Sequence, residues 1–150
     1  CREGRFAVSG EEVARHLTKF LRAKYVIGAA YRSLSDRIRG PWRDSIVGHW
    51  AEHASEERKA AYDIAMRIIA MGGDPQVGAL VVPPCSPDVQ SFIGCLLELE
   101  LSAIENGREL VRLAGDNTAM KVFGENLVLQ DTQHADDLRR WQQECAVVLR

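Results

Sequence analysis

GGDPQVGALVVPPCSPD, residues 72–88, decides how this chain folds. Gly72-Gly73-Asp74-Pro75 is a helix stop followed by a turn, because glycine adopts the left-handed C′ conformation and proline cannot continue a helix. The rest of the stretch has no helical period. Pro83-Pro84 lacks backbone donors, and no neighbouring segment offers VGALVVPP a pairing partner, so a strand is not expected. The stretch reads as an extended crossover running along the side of a helical bundle.

Working outward, breakers divide the remainder into four long helices. The first is expected at about 11–39, opened by Ser9 with Glu12 three residues on, a capping box. Its stripe is Val13, Leu17, Phe20, Lys24, Ile27, Tyr31, Leu34 and Ile38. Gly40-Pro41 ends it, and Pro41 suits the first turn of the second helix, expected at about 42–71. That helix carries Ile46, Trp50, His53, Glu57, Ala60, Ile64, Ile68 and Met71. The third, about 87–114 with Ser86 as its cap, carries Val89, Ile93, Leu96, Glu100, Ala103, Gly107, Leu110 and Ala114. Gly115-Asp116-Asn117 turns into the fourth, about 117–149, with Met120, Leu127, Asp131, His134, Leu138, Trp141, Cys145 and Val148. Helices of about 28 residues are ~42 Å long. Short loops make the first two and the last two antiparallel neighbours, and the crossover lets the second and third run parallel. The expectation is all-α: one four-helix domain over 1–150, up-down-down-up.

Composition agrees. The 150 residues support one core and are too few for two. With 46% apolar and 27% charged residues the chain reads as globular. A net charge of −2, with no basic stripe, argues against nucleic acid as a partner. No apolar run of about 18 residues predicts a membrane span. Cys1, Cys85, Cys95 and Cys145 have no metal-binding spacing and are read as free thiols, Cys95 and Cys145 as inert core hydrophobes. That implies a reducing compartment: cytoplasm, or an organelle interior after removal of a targeting peptide, which a start at Cys1 instead of Met fits.

The functional signal lies on the apolar stripes. Glu57, Glu100, Asp131 and His134, with Lys24 beside them, fall near helix centres where the bundle should be driest. With His134 neutral and Lys24 protonated, three carboxylates and one ammonium sum to −2. A core does not tolerate that uncompensated. Metal, carboxylate protonation or water would resolve it. Oxygen-rich ligation with one imidazole suits iron or manganese, and also zinc.

At this point a resemblance becomes specific. EHASEERKAAYDIAMRIIAMGGDPQ resembles the second helix of bacterioferritin and Dps-type ferritin-like proteins, with their EExxHA motif before a GG-x-P turn. ELELSAIENGRELVRLAGD and LQDTQHADDL are similar to the third and fourth helices. The resemblance runs from about Leu17 to Leu138 and implies the ferritin-like bundle with a di-iron centre. On the matching positions Glu57, Glu100, Asp131 and His134 would be metal ligands. The first-helix glutamate is replaced by Lys24, and the second-helix histidine by Ala60. Both losses fall on the same metal, so ferroxidase chemistry, which needs two metals ~3.5–4 Å apart, is not expected.

The resemblance therefore implies a degraded di-iron centre in a non-catalytic structural or assembly subunit, joined to other protein subunits as a homo-oligomer or larger complex. The alternative is an iron-binding or storage protein that holds one iron, manganese or zinc at the residual half-site. A working oxidase would need replacement ligands from His53 or solvent. The haem-ligating methionine position is Arg58, so no haem is expected. Met66 and Met71 read as core fillers. His49 and His53, four apart, are a two-point metal candidate or simply hydrogen-bonded. Trp42 and Trp50 suit a subunit contact, or the core in the case of Trp50. Glu11, Glu12, Asp136 and Asp137 read as a solvated face.

Overall fold

The computed structural model describes residues 9–148. Among them are four helices and no strand: α1 (Gly10–Arg37), α2 (Arg43–Ala70), α3 (Val89–Ala114) and α4 (Thr118–Val148). α1 packs along α2, α3 along α4, and α1 against α3, in the up-down-down-up order of a ferritin-like bundle. No described helix is long and apolar enough to cross a membrane.

Local chemistry sets the helix ends. The Ser9 side chain accepts from Glu12 N and caps α1. α1 stops at Arg37, not at 39, because Ile38 turns extended and buries itself in the core, its carbonyl held by Arg43. Pro41 therefore lies in the turn, ahead of α2 instead of inside its first turn. At the far end of α2, Gly72 takes φ +80°, Gly72 N bonds Ile69 O and Gly73 N bonds Ile68 O at 2.9 Å, a Schellman closure. α3 is capped by Asp88 in place of Ser86: its carboxylate accepts from Ser91 N at 2.8 Å and from the Ser91 hydroxyl at 2.7 Å. Asn117 caps α4, accepting from Met120 N.

The stripes form one core that includes Leu17, Phe20, Tyr31, Trp50, Ile64, Phe92, Leu110, Leu138 and Trp141. Trp50 is wholly buried, and Trp42 packs half-buried on the core. Met66 and Met71 do not fill it. Met66 is 40% exposed because it lies off the buried arc of α2, and Met71 is 39% exposed at the C-cap, where the helix has ended at Ala70.

The crossover also corrects the cysteine reading. After Pro83-Pro84 the chain turns back onto α3, bringing Cys85 to a Cα–Cα distance of 6.5 Å from Cys95, and the two form a disulfide. Cys145 is a free, buried thiol. Cys1, and the expected end of the fourth helix at 149, lie outside the described residues.

Candidate functional site

Midway along the bundle, Lys24 of α1, Glu57 of α2, Glu100 of α3 and Asp131 and His134 of α4 converge, all but inaccessible to water. Asp131 and His134 are three apart on one helix face, so both reach the same level. Glu57, Glu100, Asp131 and His134 each offer one ligand atom, and these lie within 4.8 Å of one another. Ala60, also buried, brings no ligand atom to this layer.

Lys24 Nζ donates to Asp131 Oδ1 and lies 2.9 Å from Glu57 Oε2. His134 Nδ1 is 3.0 Å from Glu57 Oε1 and 3.1 Å from Glu100 Oε1, while Nε2 is 2.6 Å from Glu56 Oε2. Tyr31 donates to Glu100 Oε1 at 2.7 Å. The Glu57 oxygens are close to cations without hydrogen-bond alignment, and Glu100 Oε2 and Asp131 Oδ2 accept no hydrogen bond.

These distances change the expected charge state. Both nitrogens of His134 face carboxylate oxygens, an arrangement that only the imidazolium, a donor at both atoms, satisfies. Burial opposes that charge, but Glu100 and Glu57 outweigh it and hold the pKa up at about 11. His134 is therefore charged, contrary to the neutral imidazole assumed from sequence. Burial likewise opposes the Lys24 ammonium, and Glu57, Asp131 and Glu100 together raise its pKa above the usual lysine value. Glu57 is lowered against its burial by His134 and Lys24. Burial raises Glu100, with the Glu57 charge adding to it. Asp131 is pushed up to about 7 by burial, against the pull of Lys24. Two cations thus face three acids, of which Glu57 is lowered and both Glu100 and Asp131 are raised.

Around this layer lies a polar shell that sequence reasoning did not assemble. His53 Nδ1 is 3.2 Å from the Tyr31 hydroxyl, and its Nε2 is 3.3 Å from Asp137 Oδ2. The His53 and His134 rings stack at 4.1 Å. Burial and then the His134 charge depress His53 to about 4, so it is neutral. His49 does not join it: its exposed side chain lies by Glu52 and Trp141. Asp137 is no free surface acid, because it partners His53 and Arg140, whereas Glu11, Glu12 and Asp136 are exposed. Glu56 stands in the quoted EExxHA match directly before Glu57, and Asp137 lies three after His134. Those spacings were the available signals.

A divalent ion can be held by this ligand set only against Lys24. The Lys24 ammonium contacts two of the four ligand residues, Glu57 and Asp131, and Ala60 adds no ligand atom.

Residues 14–147 match the family model of the ferritin-like domain. The fold is similar to a ferritin-like, diiron-carboxylate protein of Bacillus anthracis, at a TM-score of 0.84 and 21% identity, covering 89% of this chain and 96% of that one. It is also similar to the bacterioferritin-related protein of Bacteroides fragilis, a dodecameric thioferritin, at a TM-score of 0.87 and 20% identity, covering 95% and 90%. None of the curated proteins matches the sequence.

Proposed function

Because the chain belongs to the ferritin-like domain family, we propose that it is a ferritin-like subunit whose centre is neutralised by its own lysine, serving a structural or assembly role instead of iron oxidation. One observation carries this reading: Lys24 Nζ contacts both Glu57 and Asp131 in the sealed centre. Oxidation at a two-metal site needs both ions ~3.5–4 Å apart. A divalent ion beside an ammonium in a low-dielectric interior meets strong repulsion. Assembly is supported by the dodecameric Bacteroides relative.

The test is iron per chain after anaerobic Fe(II) loading and desalting, followed by Fe(II) oxidation in air. Near zero iron and no oxidation above the protein-free rate are expected. Two irons per chain, or rapid oxidation, overturn the reading. Lys24→Glu with Ala60→His should restore both.

A second reading is favoured by Glu100 Oε2 and Asp131 Oδ2, which are buried without partners. Such oxygens suit one ion held by Glu57, Glu100, Asp131 and His134. One metal per chain, abolished by Asp131→Ala, would select it.

A further inference from the structure

Lys24 Nζ is held where an ammonium is costly and an acyl carbon is at hand. From α1 it contacts Asp131 Oδ1 of α4, while Glu57 Oε2 of α2 stands 2.9 Å from the same nitrogen. All three side chains are wholly buried, and the Phe20 ring centroid lies 5.5 Å from Nζ. Asp131 Oδ2 accepts no hydrogen bond. Every other lysine or arginine ion pair among the described residues has its cation in solvent. A buried lysine touching one carboxylate, with a second carboxylate on the same nitrogen, is therefore peculiar to this layer.

An amine and a carboxylic acid condense to an amide and water. In bulk water the reaction is held back, because both groups are ionised, well solvated and seldom together. The centre removes each obstacle. A dry interior takes away the hydration that favours the ion pair over the neutral amine and acid. Fixing the two groups in contact supplies effective concentrations on the order of 10⁵ M or more. What remains is the movement of protons, and the second carboxylate is placed to carry them.

We propose that Lys24 and Asp131 form a cross-linking site: after folding, their ion pair matures into an amide between Lys24 Nζ and Asp131 Cγ, with Glu57 as the proton carrier. The ammonium first passes a proton to Asp131 along their contact, leaving a neutral amine and a carboxylic acid. The Nζ lone pair then attacks Cγ, and the C–N bond forms. Glu57 takes a second proton from the nitrogen and delivers it to the hydroxyl on Cγ. That C–O bond breaks, the carbonyl is restored and water leaves. Glu57 ends as it began, nothing is oxidised or reduced, and the pair carries no net charge before or after. A groove of about 500 Å³ between α1 and α2, lined in part by Lys24, gives the water a way out. The bond ties α1 to α4 across a separation of 107 residues. This deepens the structural reading above and rests on its placement of Lys24 in the centre, since a cross-linked centre has spent one ligand carboxylate and stays closed to metal.

The experiment is the intact mass of the full chain, purified with a chelator and held warm at neutral pH, followed by sequencing of its peptides. A species lighter by one water is expected to grow with time, its Lys24 and Asp131 peptides joined. That species should melt higher than the fresh protein, because the new bond closes a long loop. Lys24→Arg and Asp131→Ala should each abolish it. Glu57→Gln should slow its formation at least tenfold. Asp131→Asn should give the same joined peptides with loss of ammonia in place of water, an outcome that a mere folding defect would not allow. An unchanged mass overturns the proposal, and so does a water lost within the Asp131 peptide alone, the mark of a succinimide. Iron is read separately. A chain that neither cross-links nor takes up iron refutes the bond and leaves the structural reading standing, whereas two irons per chain overturn both.

Discussion

Lys24 Nζ lies 2.9 Å from Glu57 Oε2, and neither side chain reaches solvent. A buried pair of this kind adds little compared with well-packed apolar residues, yet removing one partner strands the other. Lys24→Met should cost about 3–5 kcal/mol in urea denaturation, because Glu57 and Asp131 would lose their shared cation. Manganese or zinc should recover much of that loss in the variant and leave the parent's melting temperature unmoved. Equal metal stabilisation of both proteins would refute the idea that the lysine substitutes for an ion.

The centre also predicts stability limbs of opposite sign. His53 titrates near about 4 in the fold, chiefly through burial, against about 6.5 when unfolded. Its contribution is complete above ~6.5 and is lost as pH falls toward 4. Asp131 is raised to about 7 from an unfolded value near 3.9. Its contribution is complete below ~3.9 and is lost as pH rises through 7. Between pH 4 and 6.5 the two contributions run in opposite directions and offset one another, so neither shows as a separate limb in the parent's melting temperature. His53→Gln should leave a melting temperature that falls as pH rises through that window, and Asp131→Asn one that falls as pH drops through it. A profile unchanged by either substitution would contradict these assignments.

The Cys85–Cys95 disulfide closes a loop of 10 residues. On the chain-entropy account a loop that short contributes about 2–3 kcal/mol. Cys95→Ser should lower stability by that amount, and a thiol reductant should do the same to the parent chain. Helical content should persist in both cases, because α3 keeps its Asp88 cap and core face. If the reductant changes nothing, the crossover is held by packing alone.

How much of this was legible in the sequence depended on distance along the chain. Gly72-Gly73, Gly40-Pro41 and Gly115 act locally, so the helices and their order could be read from them directly. Lys24, Glu57, Glu100, Asp131 and His134 were visible because a polar residue on an apolar stripe conflicts with its own neighbours. Glu56 and Asp137 sit at exposed or half-exposed positions, and their roles depend on how α2 and α4 face one another. The charge on His134 was hidden for the same reason, being set by distances to three glutamates on two other helices. Met66 was misplaced because an apolar residue beside a stripe is compatible with either face, and Met71, on the stripe, because the helix ends one residue before it. The disulfide required knowing where the crossover lands.

The close approach of α3 and α4 gives a last prediction. A Cβ on Gly107 would sit 2.6 Å from Val128 Cγ2 and 3.5 Å from Val128 N. One on Gly124 would sit 2.9 Å from Val111 Cγ2, and 3.3 and 3.4 Å from the backbone at Val111 N and Gly107 O. Alanine normally favours a helix by about 1 kcal/mol over glycine, whereas overpacking costs roughly 1–3. At Gly124 the obstacle includes backbone on the facing helix, which a rotamer change cannot relieve, so overpacking should win. Gly124→Ala should lose about 1–2 kcal/mol, and Gly107→Ala somewhat less, since the valine side chain can turn away. Gly94→Ala is the internal control: it lies in α3 with nothing within 4 Å of its Cβ position, so it should gain up to ~1 kcal/mol. Urea midpoints of the three variants separate the effects. If Gly124→Ala proves as stabilising as Gly94→Ala, the helices do not pack through their glycines, and the level at which Glu100 meets His134 must be held by other contacts.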